Sequence, residues 1–317
     1  MTEVTAPSNI ALIKYMGKSQ VSGNRPTNAS LSFTLDHLVT KLKVEATKGE
    51  DCWSPLENSE FEVQLSEKGQ KRFLDFLKIL KNEFDVNEPL HISSGNNFPS
   101  DCGLASSASS FAALTKGVYE YARSQNLTKE RTLEELSQIS QRGSGSSCRS
   151  FFSPFALWES EGARPVDLGM PGLLHAALIF ENQKKEVSSS KAHVQVLTSD
   201  LFQGRVERAE KRLENLILAF QTEDWSKAFE ICWAEFWDMH ALFETSTPSF
   251  GYFTGPAVDC LMSLRKMWQE KGDGPLVTMD AGPNIHLLFR RDQKEALEEW
   301  IATLKSLFPL MKVYLSQ

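Results

Sequence analysis

The chain contains 317 residues, 41% of them hydrophobic and 24% charged, which is the composition of a soluble globular protein with one large domain or two of ordinary size. Its net charge of −7 argues against nucleic acid or an anionic membrane as the main partner, so an anionic ligand needs a local group of Lys and Arg side chains. Five cysteines without C-x-x-C spacing indicate neither a disulfide framework nor a zinc site, and because no apolar leader or membrane-length apolar run occurs, we expect a cytoplasmic protein that is neither secreted nor membrane-spanning.

The first half of the chain mixes predicted strands with predicted helices. Residues 41–47 alternate between apolar and charged side chains, and residues 61–65 repeat the pattern, so both stretches predict half-buried strands. Apolar side chains at helical spacing predict one helix over residues 67–84 and a second over residues 104–122.

The second half is predicted to be rich in helices, with one clear pair of strands. Residues 173–180 predict a buried strand, and the polar stretch 181–185 after it is the candidate domain boundary. Helical patterns follow over 201–220, 225–243, 255–270 and 293–307. Two apolar runs within 276–289 are separated by Ala-Gly-Pro-Asn, a strong turn signal, which places Asp280 at the end of a strand.

Residues 99–109 form a turn rich in Gly and Ser that runs into the second predicted helix. Backbone N–H groups at a helix start lack intrahelical partners and carry partial positive charge, so this turn suits a phosphate group. It lacks the Gly-Lys-Ser/Thr end of a P-loop and is not a G-x-G-x-x-G turn. An ordinary serine-capped helix remains the alternative.

A lysine near the N-terminus stands out because of its apolar surroundings. Lys14 follows Ile10-Ala11-Leu12-Ile13, so a strand there would bury it, and a buried ammonium group needs an anionic partner. Asp280 is the natural candidate. The alternatives are a lysine that extends into solvent and a simple turn aspartate.

The Gly- and Ser-rich stretch 142–150 contains a second candidate for anion binding. Apolar residues follow directly at 151–152 and 155–158, which indicates that the loop is anchored on the core rather than serving as a flexible linker. An anchored loop can present N–H groups, hydroxyls and the Arg149 guanidinium to an anion. A linker remains the alternative.

Five motifs occur in the order seen in mevalonate diphosphate decarboxylases, a family of the GHMP kinase superfamily, and the chain resembles that family over nearly its whole length. Residues 187–189 and 237–241 extend the resemblance. The five motifs lie at residues 9–15, 26–32, 103–108, 143–150 and 280–284.

The resemblance implies an α+β, two-domain GHMP kinase-like fold with the active site in the cleft between the domains. It implies an N-terminal ribosomal-protein-S5-like, ATP-binding domain over residues 1–184 and a C-terminal helix-rich α/β sandwich over 185–317. The implied reaction converts mevalonate diphosphate, with ATP and Mg²⁺, to isopentenyl diphosphate, ADP, phosphate and CO₂. Phosphorylation of the C3 hydroxyl creates the leaving group that accepts the electrons of decarboxylation. The family usually forms homodimers, and neither nucleic acid nor membrane is an expected partner.

The resemblance also implies roles for individual residues. Asp280 resembles the catalytic carboxylate that acts on the C3 hydroxyl, Lys14 its cationic partner, and Arg149 the residue that binds the C1 carboxylate. The implied diphosphate-binding residues are Tyr15, Lys18, Ser144, Gly145 and Ser146, with Ser188 and Ser189 near the same pocket. The implied ATP contacts are Gly103, Leu104, Ala105, Ser106, Ser107 and Lys185, with Ser107 also a candidate Mg²⁺ ligand.

The sequence departs from the family pattern beside the expected substrate pocket. Met16 stands where the family commonly has Trp, and Ala192-His193 replaces a Gly-Met pair. Both departures leave open whether the preferred substrate carries a diphosphate, a monophosphate or no phosphate. A change in the shape of the pocket can change which of these related molecules the protein prefers. The alternatives are the same chemistry on mevalonate 5-phosphate, a plain small-molecule kinase of the superfamily without decarboxylation, and a non-catalytic binding protein on this fold.

Overall fold

The computed structural model describes residues 1–18, 24–57, 59–61, 63–99, 106–160, 162–180 and 187–316. Within these ranges the chain has the expected α+β architecture, with two β-sheets and helices packed against them. The helices are α1 (Glu67–Glu83), α2 (Ser106–Ser124), α3 (Leu133–Gln141), α4 (Ser189–Gln195), α5 (Arg205–Gln221), α6 (Trp225–Glu244), α7 (Gly255–Lys271) and α8 (Lys294–Leu307). The strands are β1 (Thr2–Ile13), β2 (Ser30–Ala46), β3 (Cys52–Pro55), β4 (Leu90–Asn96), β5 (Phe155–Trp158), β6 (Ala163–Pro165), β7 (Leu174–Ile179), β8 (Leu276–Met279), β9 (Ile285–Phe289) and β10 (Lys312–Leu315).

The first sheet is built around the long strand β2. In the described part of the chain its order is β3-β4-β2-β5-β6, with β1 also paired to β2, and only β3 and β4 run parallel. The predicted strand over residues 41–47 is confirmed as the C-terminal part of β2, where Leu42 and Val44 are buried and Lys41 is exposed. Helices α1, α2 and α3 cover this sheet through an apolar cluster that includes Phe76, Leu114 and Leu136.

The predicted strand over residues 61–65 is wrong. Phe61 forms a single bridge to Asn96, and residues 63–65 are not in a strand. The reason lies in the neighbouring strand, because β3 already pairs with β4 as far as Ser94 and leaves little free edge. The chain instead turns into α1, whose first turn is capped when Gly69 N–H donates to the Ser66 hydroxyl.

The second sheet is antiparallel, with the order β10-β7-β9-β8 among the described residues. The predicted pair of strands over 276–289 is confirmed as β8 and β9, and Asp280 directly follows β8. The predicted buried strand over 173–180 is confirmed as β7. β7 pairs with β9 and β10 in the second sheet, whereas the expected division into residues 1–184 and 185–317 assigns its residues to the N-terminal domain, and that division stays a prediction. The sequence indicated burial but could not show which sheet a buried strand joins. Residues 181–185, the candidate boundary segment, lie outside the described residues.

The predicted helices of the second half are confirmed as α5, α6, α7 and α8, with one shifted start. Helix α5 begins at Arg205 rather than at residue 201, because residues 200–202 form a 3₁₀ turn and Gly204 takes a left-handed conformation with φ of 74°. In the part of the chain that is described, no helix is both long and apolar enough to span a membrane.

Strand β1 pairs in the first sheet and also packs against strands of the second sheet. Ile10 and Leu12 pack in the same apolar cluster as Leu178 of β7 and Leu287 of β9. The Thr278 hydroxyl of β8 donates to the Ala11 carbonyl over 3.3 Å. The C-terminal ends of β1 and β8 therefore lie side by side, which places the residues that follow these two strands at one point.

Candidate active site

Lys14 and Asp280 form an ion pair at the point where β1 and β8 end. Lys14 Nζ lies 2.7 Å from Asp280 Oδ1, and the two residues are 266 positions apart in the chain. The Lys14 side chain is 2% exposed and that of Asp280 is 25% exposed. The prediction that Lys14 is buried against Asp280 is confirmed, and the solvated lysine and simple turn aspartate are excluded.

The surroundings of Asp280 keep its carboxyl group ionised. Burial acts to raise its pKa, but the Lys14 ammonium, with His286 and Arg149 nearby, lowers the pKa of Asp280 below its ordinary value. Burial lowers the pKa of Lys14, and the Asp280 carboxylate opposes that shift. The arrangement provides a carboxylate that carries its charge at neutral pH.

Two buried side chains that the sequence did not reveal fix the backbone of Lys14. The Lys14 N–H donates to Glu235 Oε1 over 2.9 Å, and the Arg205 guanidinium donates to the Lys14 carbonyl over 3.2 Å. Arg205 and Glu235 are fully buried and form an ion pair with each other. Because both backbone groups of Lys14 are bound, its side chain leaves the chain in a fixed direction.

The Gly- and Ser-rich stretch 142–150 is part of the core, so a flexible linker is excluded. It forms a 3₁₀ helix over Gly145–Phe151 that is buried at most positions. Arg149 is 4% exposed; its Nε donates to Asn9 Oδ1 over 3.1 Å and its Nη1 to the Ser30 hydroxyl over 2.8 Å. Nη2 makes no hydrogen bond to a described residue. The guanidinium group is thus oriented by the protein and keeps one nitrogen for a ligand.

Tyr15 presents a buried hydroxyl to the same region. The residue is 8% exposed, and its Oη has no hydrogen-bond partner among the described residues. Its ring contacts Trp158 and His193, with centroids 4.5 and 4.1 Å apart. A Cβ at Gly145 would lie 3.0 Å from the Tyr15 ring, so a glycine is needed for this close approach. Burial raises the pKa of Tyr15, so the hydroxyl is a donor at neutral pH.

One cavity of about 110 Å³ brings many of the predicted site residues together. A larger cavity of about 470 Å³, beside Trp225 and Arg290, contains none of them. Met16 and His193, which the sequence placed beside the expected pocket, also line the smaller cavity. Ala11, Met239 and Ala281 line it too and were not predicted as site residues. The predicted residues that line it are Lys14, Tyr15, Ser107, Ser146, Arg149, Ser189 and Asp280.

Other predicted residues lie near this cavity without lining it. Lys18 Nζ donates to Asn24 Oδ1 over 2.7 Å. The Ser144 carbonyl accepts from the Ser147 hydroxyl within the buried loop, and Ser106 begins α2 next to Ser107. Ser188 is exposed, and its hydroxyl accepts from the Lys191 N–H as the cap of α4. Gly103, Leu104, Ala105 and Lys185 lie outside the described residues.

Comparison with known proteins decides the family. A family model described as "Diphosphomevalonate decarboxylase-like N-terminal domain" matches residues 6–166, and one described as "Mevalonate 5-diphosphate decarboxylase C-terminal domain" matches residues 176–316. The chain belongs to the diphosphomevalonate decarboxylase family. A diphosphomevalonate decarboxylase of Debaryomyces hansenii is 32% identical, over 92% of this chain and 80% of that relative.

Solved structures of the family share the whole fold. A mevalonate diphosphate decarboxylase from Legionella pneumophila is 44% identical, with a TM-score of 0.92 and 99% of each chain covered. A second structure, MDDEF in complex with MVAPP, AMPPCP and magnesium, is 29% identical, with a TM-score of 0.85 over 100% of this chain and 98% of that one. The two-domain α+β fold implied by the motifs of the sequence is thereby confirmed.

Proposed function

We propose that this protein catalyses the ATP-dependent decarboxylation of mevalonate 5-diphosphate to isopentenyl diphosphate, with release of ADP, phosphate and CO₂. One observation carries the proposal: the ionised Asp280 carboxylate, paired with Lys14, lines the same cavity as the Arg149 guanidinium and the Ser107 hydroxyl. Membership of the decarboxylase family over nearly the whole chain supports the same reaction.

Asp280 has the position and charge of a general base. The substrate carries a tertiary C3 hydroxyl, a crowded and weak nucleophile, and a carboxylate within hydrogen-bond reach that accepts its proton contributes about 10²- to 10⁴-fold to such a step. Lys14 keeps Asp280 ionised and fixes Oδ1, which leaves Oδ2 for the substrate.

The start of α2 has donors suited to the triphosphate of ATP and to Mg²⁺. Ser107 lies in the first turn of this helix and lines the cavity, and Ser106 precedes it. Mg²⁺ takes oxygen ligands and is commonly bound by one or two protein groups together with substrate phosphates, so a serine hydroxyl fits it. The ion would supply charge neutralisation across the β- and γ-phosphates. Gly103, Leu104, Ala105 and Lys185 are proposed as further ATP contacts on the family resemblance.

Arg149 is proposed to orient the C1 carboxylate. As CO₂ leaves, the C1–C2 electron pair forms the C2=C3 double bond, and the C3–O bond breaks with its electron pair going to the departing phosphate. A tight hold on the carboxylate would stabilise the ground state, and only interactions that are stronger in the transition state raise the rate. The fixed guanidinium therefore acts by alignment, holding the breaking C–C bond against the leaving group.

The cavity residues around Tyr15 are proposed to bind the diphosphate. Tyr15 Oη is a buried donor without a described partner, which fits a phosphate oxygen, and Ser146 lines the same wall. Lys18 supplies positive charge close by, and Ser144 and Gly145 form the loop that supports Ser146. Ser189 lines the cavity from α4, and Ser188 caps that helix.

One assay tests the reaction and the length of the substrate together. The purified protein is incubated with ATP, Mg²⁺ and either mevalonate, its 5-phosphate or its 5-diphosphate, and ADP, phosphate and CO₂ are measured. Equal release of all three products with the 5-diphosphate is expected. ADP without CO₂ would indicate a plain kinase, products only from the 5-phosphate would reassign the substrate, and no ADP with any substrate would indicate a binding protein.

We further propose a cytoplasmic homodimer. Among the described residues Cys52, Cys148, Cys232 and Cys260 are free thiols, which supports a reducing compartment. Leu310 is 92% exposed beside the edge strand β10, which supports a contact with a second copy. Light scattering coupled to size exclusion, with Leu310→Glu as the disrupting variant, tests the dimer.

A further inference from the structure

His193 is the feature of the cavity that the proposed reaction leaves unused. It lies in α4 one turn after Ser189, and both residues line the cavity with Tyr15 and Arg149. The imidazole adds two polar ring nitrogens to the lining of this cavity.

A hydrogen bond to the backbone sets the tautomer of His193. The Gly17 N–H donates to His193 Nδ1 over 3.2 Å, so Nδ1 must be free of hydrogen and the proton must be on Nε2. Nε2 has no hydrogen-bond partner among the described residues. The neutral ring therefore has an Nε2–H group that is available to donate a hydrogen bond to a ligand.

The environment of the ring favours an anion beside it. The ring lies against Tyr15 with a 4.1 Å centroid separation and a 30° interplanar angle. Burial, with a smaller contribution from the positive charges of Lys18 and Arg149, lowers the pKa of His193 to about 3. The imidazole stays neutral at physiological pH, while two cations close to it raise the local potential for an anionic ligand.

We propose that His193, as its neutral Nε2–H tautomer, is a specificity-determining residue that donates a hydrogen bond to the phosphate end of the substrate beside the Tyr15 hydroxyl. The proposal rests on the function proposed above. A neutral N–H donor gives the site a selective contact without adding a third full charge beside Lys18 and Arg149. Discrimination against a substrate without phosphate follows, because an unmet donor in a buried site costs binding free energy.

Two substitutions separate the donor from the backbone contact. His193→Asn keeps an acceptor close to the position of Nδ1, so it can still bind Gly17 N–H, but it loses the donor at Nε2. His193→Gln places an amide N–H near the position of Nε2 and gives up the Gly17 contact. His91→Asn, at a histidine that contacts Ser54 far along the first sheet, is the control.

The binding of mevalonate 5-diphosphate, inorganic diphosphate and mevalonate is measured by calorimetry for each variant. A hydrogen bond to a charged group accounts for about tenfold to hundredfold in affinity, so His193→Asn should weaken binding of both diphosphates by about that factor. Mevalonate binding, which involves no phosphate group, should change little, and His193→Gln should keep most of the diphosphate affinity. Unchanged diphosphate binding in His193→Asn, or a larger loss in His193→Gln, would overturn the proposal.

A spectroscopic measurement on the unmodified protein covers the case in which a variant fails to fold. In ¹⁵N-labelled protein the His193 ring should show the Nε2–H tautomer, and its Nε2 resonance should shift when inorganic diphosphate is added. A resonance that does not respond would contradict the proposal. Because this readout needs no turnover, a protein that binds diphosphate through His193 yet releases no CO₂ would refute the proposed reaction alone.

Discussion

The two sides of the cavity differ in how far the protein satisfies its own polar groups. On the side of Asp280, the Lys14 ammonium is paired, and Glu235 and Arg205 bind the Lys14 backbone. On the side of Tyr15, the hydroxyl Oη and the Nε2–H of His193 have no partner among the described residues. The reacting carboxylate is therefore ionised and fixed before substrate arrives, whereas the donors of Tyr15 and His193 are left for a ligand to satisfy.

This difference has a physical reason in the steps that each side serves. A base that is already ionised and fixed in direction requires no reorganisation when the proton is transferred. A binding wall gains affinity when a ligand satisfies groups whose burial was costly without it. Substitutions at Asp280, Lys14 or Glu235 should thus affect turnover and stability. Substitutions at Tyr15 or His193 should affect the affinity for substrate.

The largest expected effect is that of Asp280→Asn on turnover. The amide still fits beside Lys14 but cannot accept the hydroxyl proton, so kcat should fall by about 10²- to 10⁴-fold, the usual contribution of a general base. Measured release of ADP and CO₂ tests this. Binding of mevalonate 5-diphosphate by calorimetry should change little, since the wall of Tyr15 and His193 is untouched. Turnover at the normal rate would end the assignment of Asp280 as the base.

The second prediction concerns the charge that holds Asp280 ionised. In Lys14→Met the strongest lowering influence on the Asp280 pKa is lost while burial still raises it, so that pKa should rise. Because the carboxylate is the active form, the acidic fall of kcat/KM should move to higher pH, and kcat at neutral pH should drop about tenfold or more. A pH–rate profile measures both.

The control for that profile is Lys211→Met, at an exposed lysine of α5. This variant should keep the profile of the unmodified protein. An acidic limb that stays in place in Lys14→Met would show that Arg149 and His286 hold the Asp280 pKa down without Lys14.

Elements with a strong local pattern could be predicted from the sequence. The helices α1 and α6 and the strand pair β8 and β9 were found from periodicity and turn residues alone. The ion pair of Lys14 with Asp280 was predictable for a different reason: a lysine inside an apolar run requires an anion, and Asp280 was predicted at the end of a strand. The strand predicted at Phe61 was wrong because alternation describes a face and says nothing about whether a sheet edge is free.

The contacts of Glu235 with Lys14 and of His193 with Gly17 could not be predicted from the sequence. Glu235 reaches Lys14 across 221 positions and His193 reaches Gly17 across 176, and neither side chain is remarkable within its own helix. Glu235 is surrounded by aromatic residues in α6, and His193 was singled out in the sequence as a departure from the family pattern, but neither signal names the contact that the side chain makes. Ser188 was expected near the pocket, and its hydroxyl caps α4, as serine commonly does at the start of a helix.

The third prediction tests the support beneath Lys14. Glu235→Gln removes the carboxylate that pairs with the buried Arg205 guanidinium, and breaking a buried ion pair typically costs about 3–5 kcal/mol. Because Asp238 still pairs with Arg205, the free energy of unfolding should fall by an amount near the lower end of that range, roughly 3 kcal/mol. Urea unfolding measures it. Glu230→Gln, at an exposed ion pair on the same helix, should change stability by less than about 1 kcal/mol. Equal stability of both variants would contradict the inference that the buried contacts around Lys14 are formed before substrate binds.

The smallest expected effect separates two roles for Ser188. If its hydroxyl acts as a cap, Ser188→Ala should destabilise α4 by about 1 kcal/mol and Ser188→Gly by only a few tenths, because glycine is a tolerated cap residue. Since Ser189 and His193 depend on α4, KM for the diphosphate should then rise a few-fold in the alanine variant and less in the glycine variant. If the Ser188 hydroxyl instead contacts the substrate directly, both variants should show the same rise in KM for the diphosphate. Steady-state kinetics of the pair therefore decides whether Ser188 belongs to the binding wall or only to the helix that carries it.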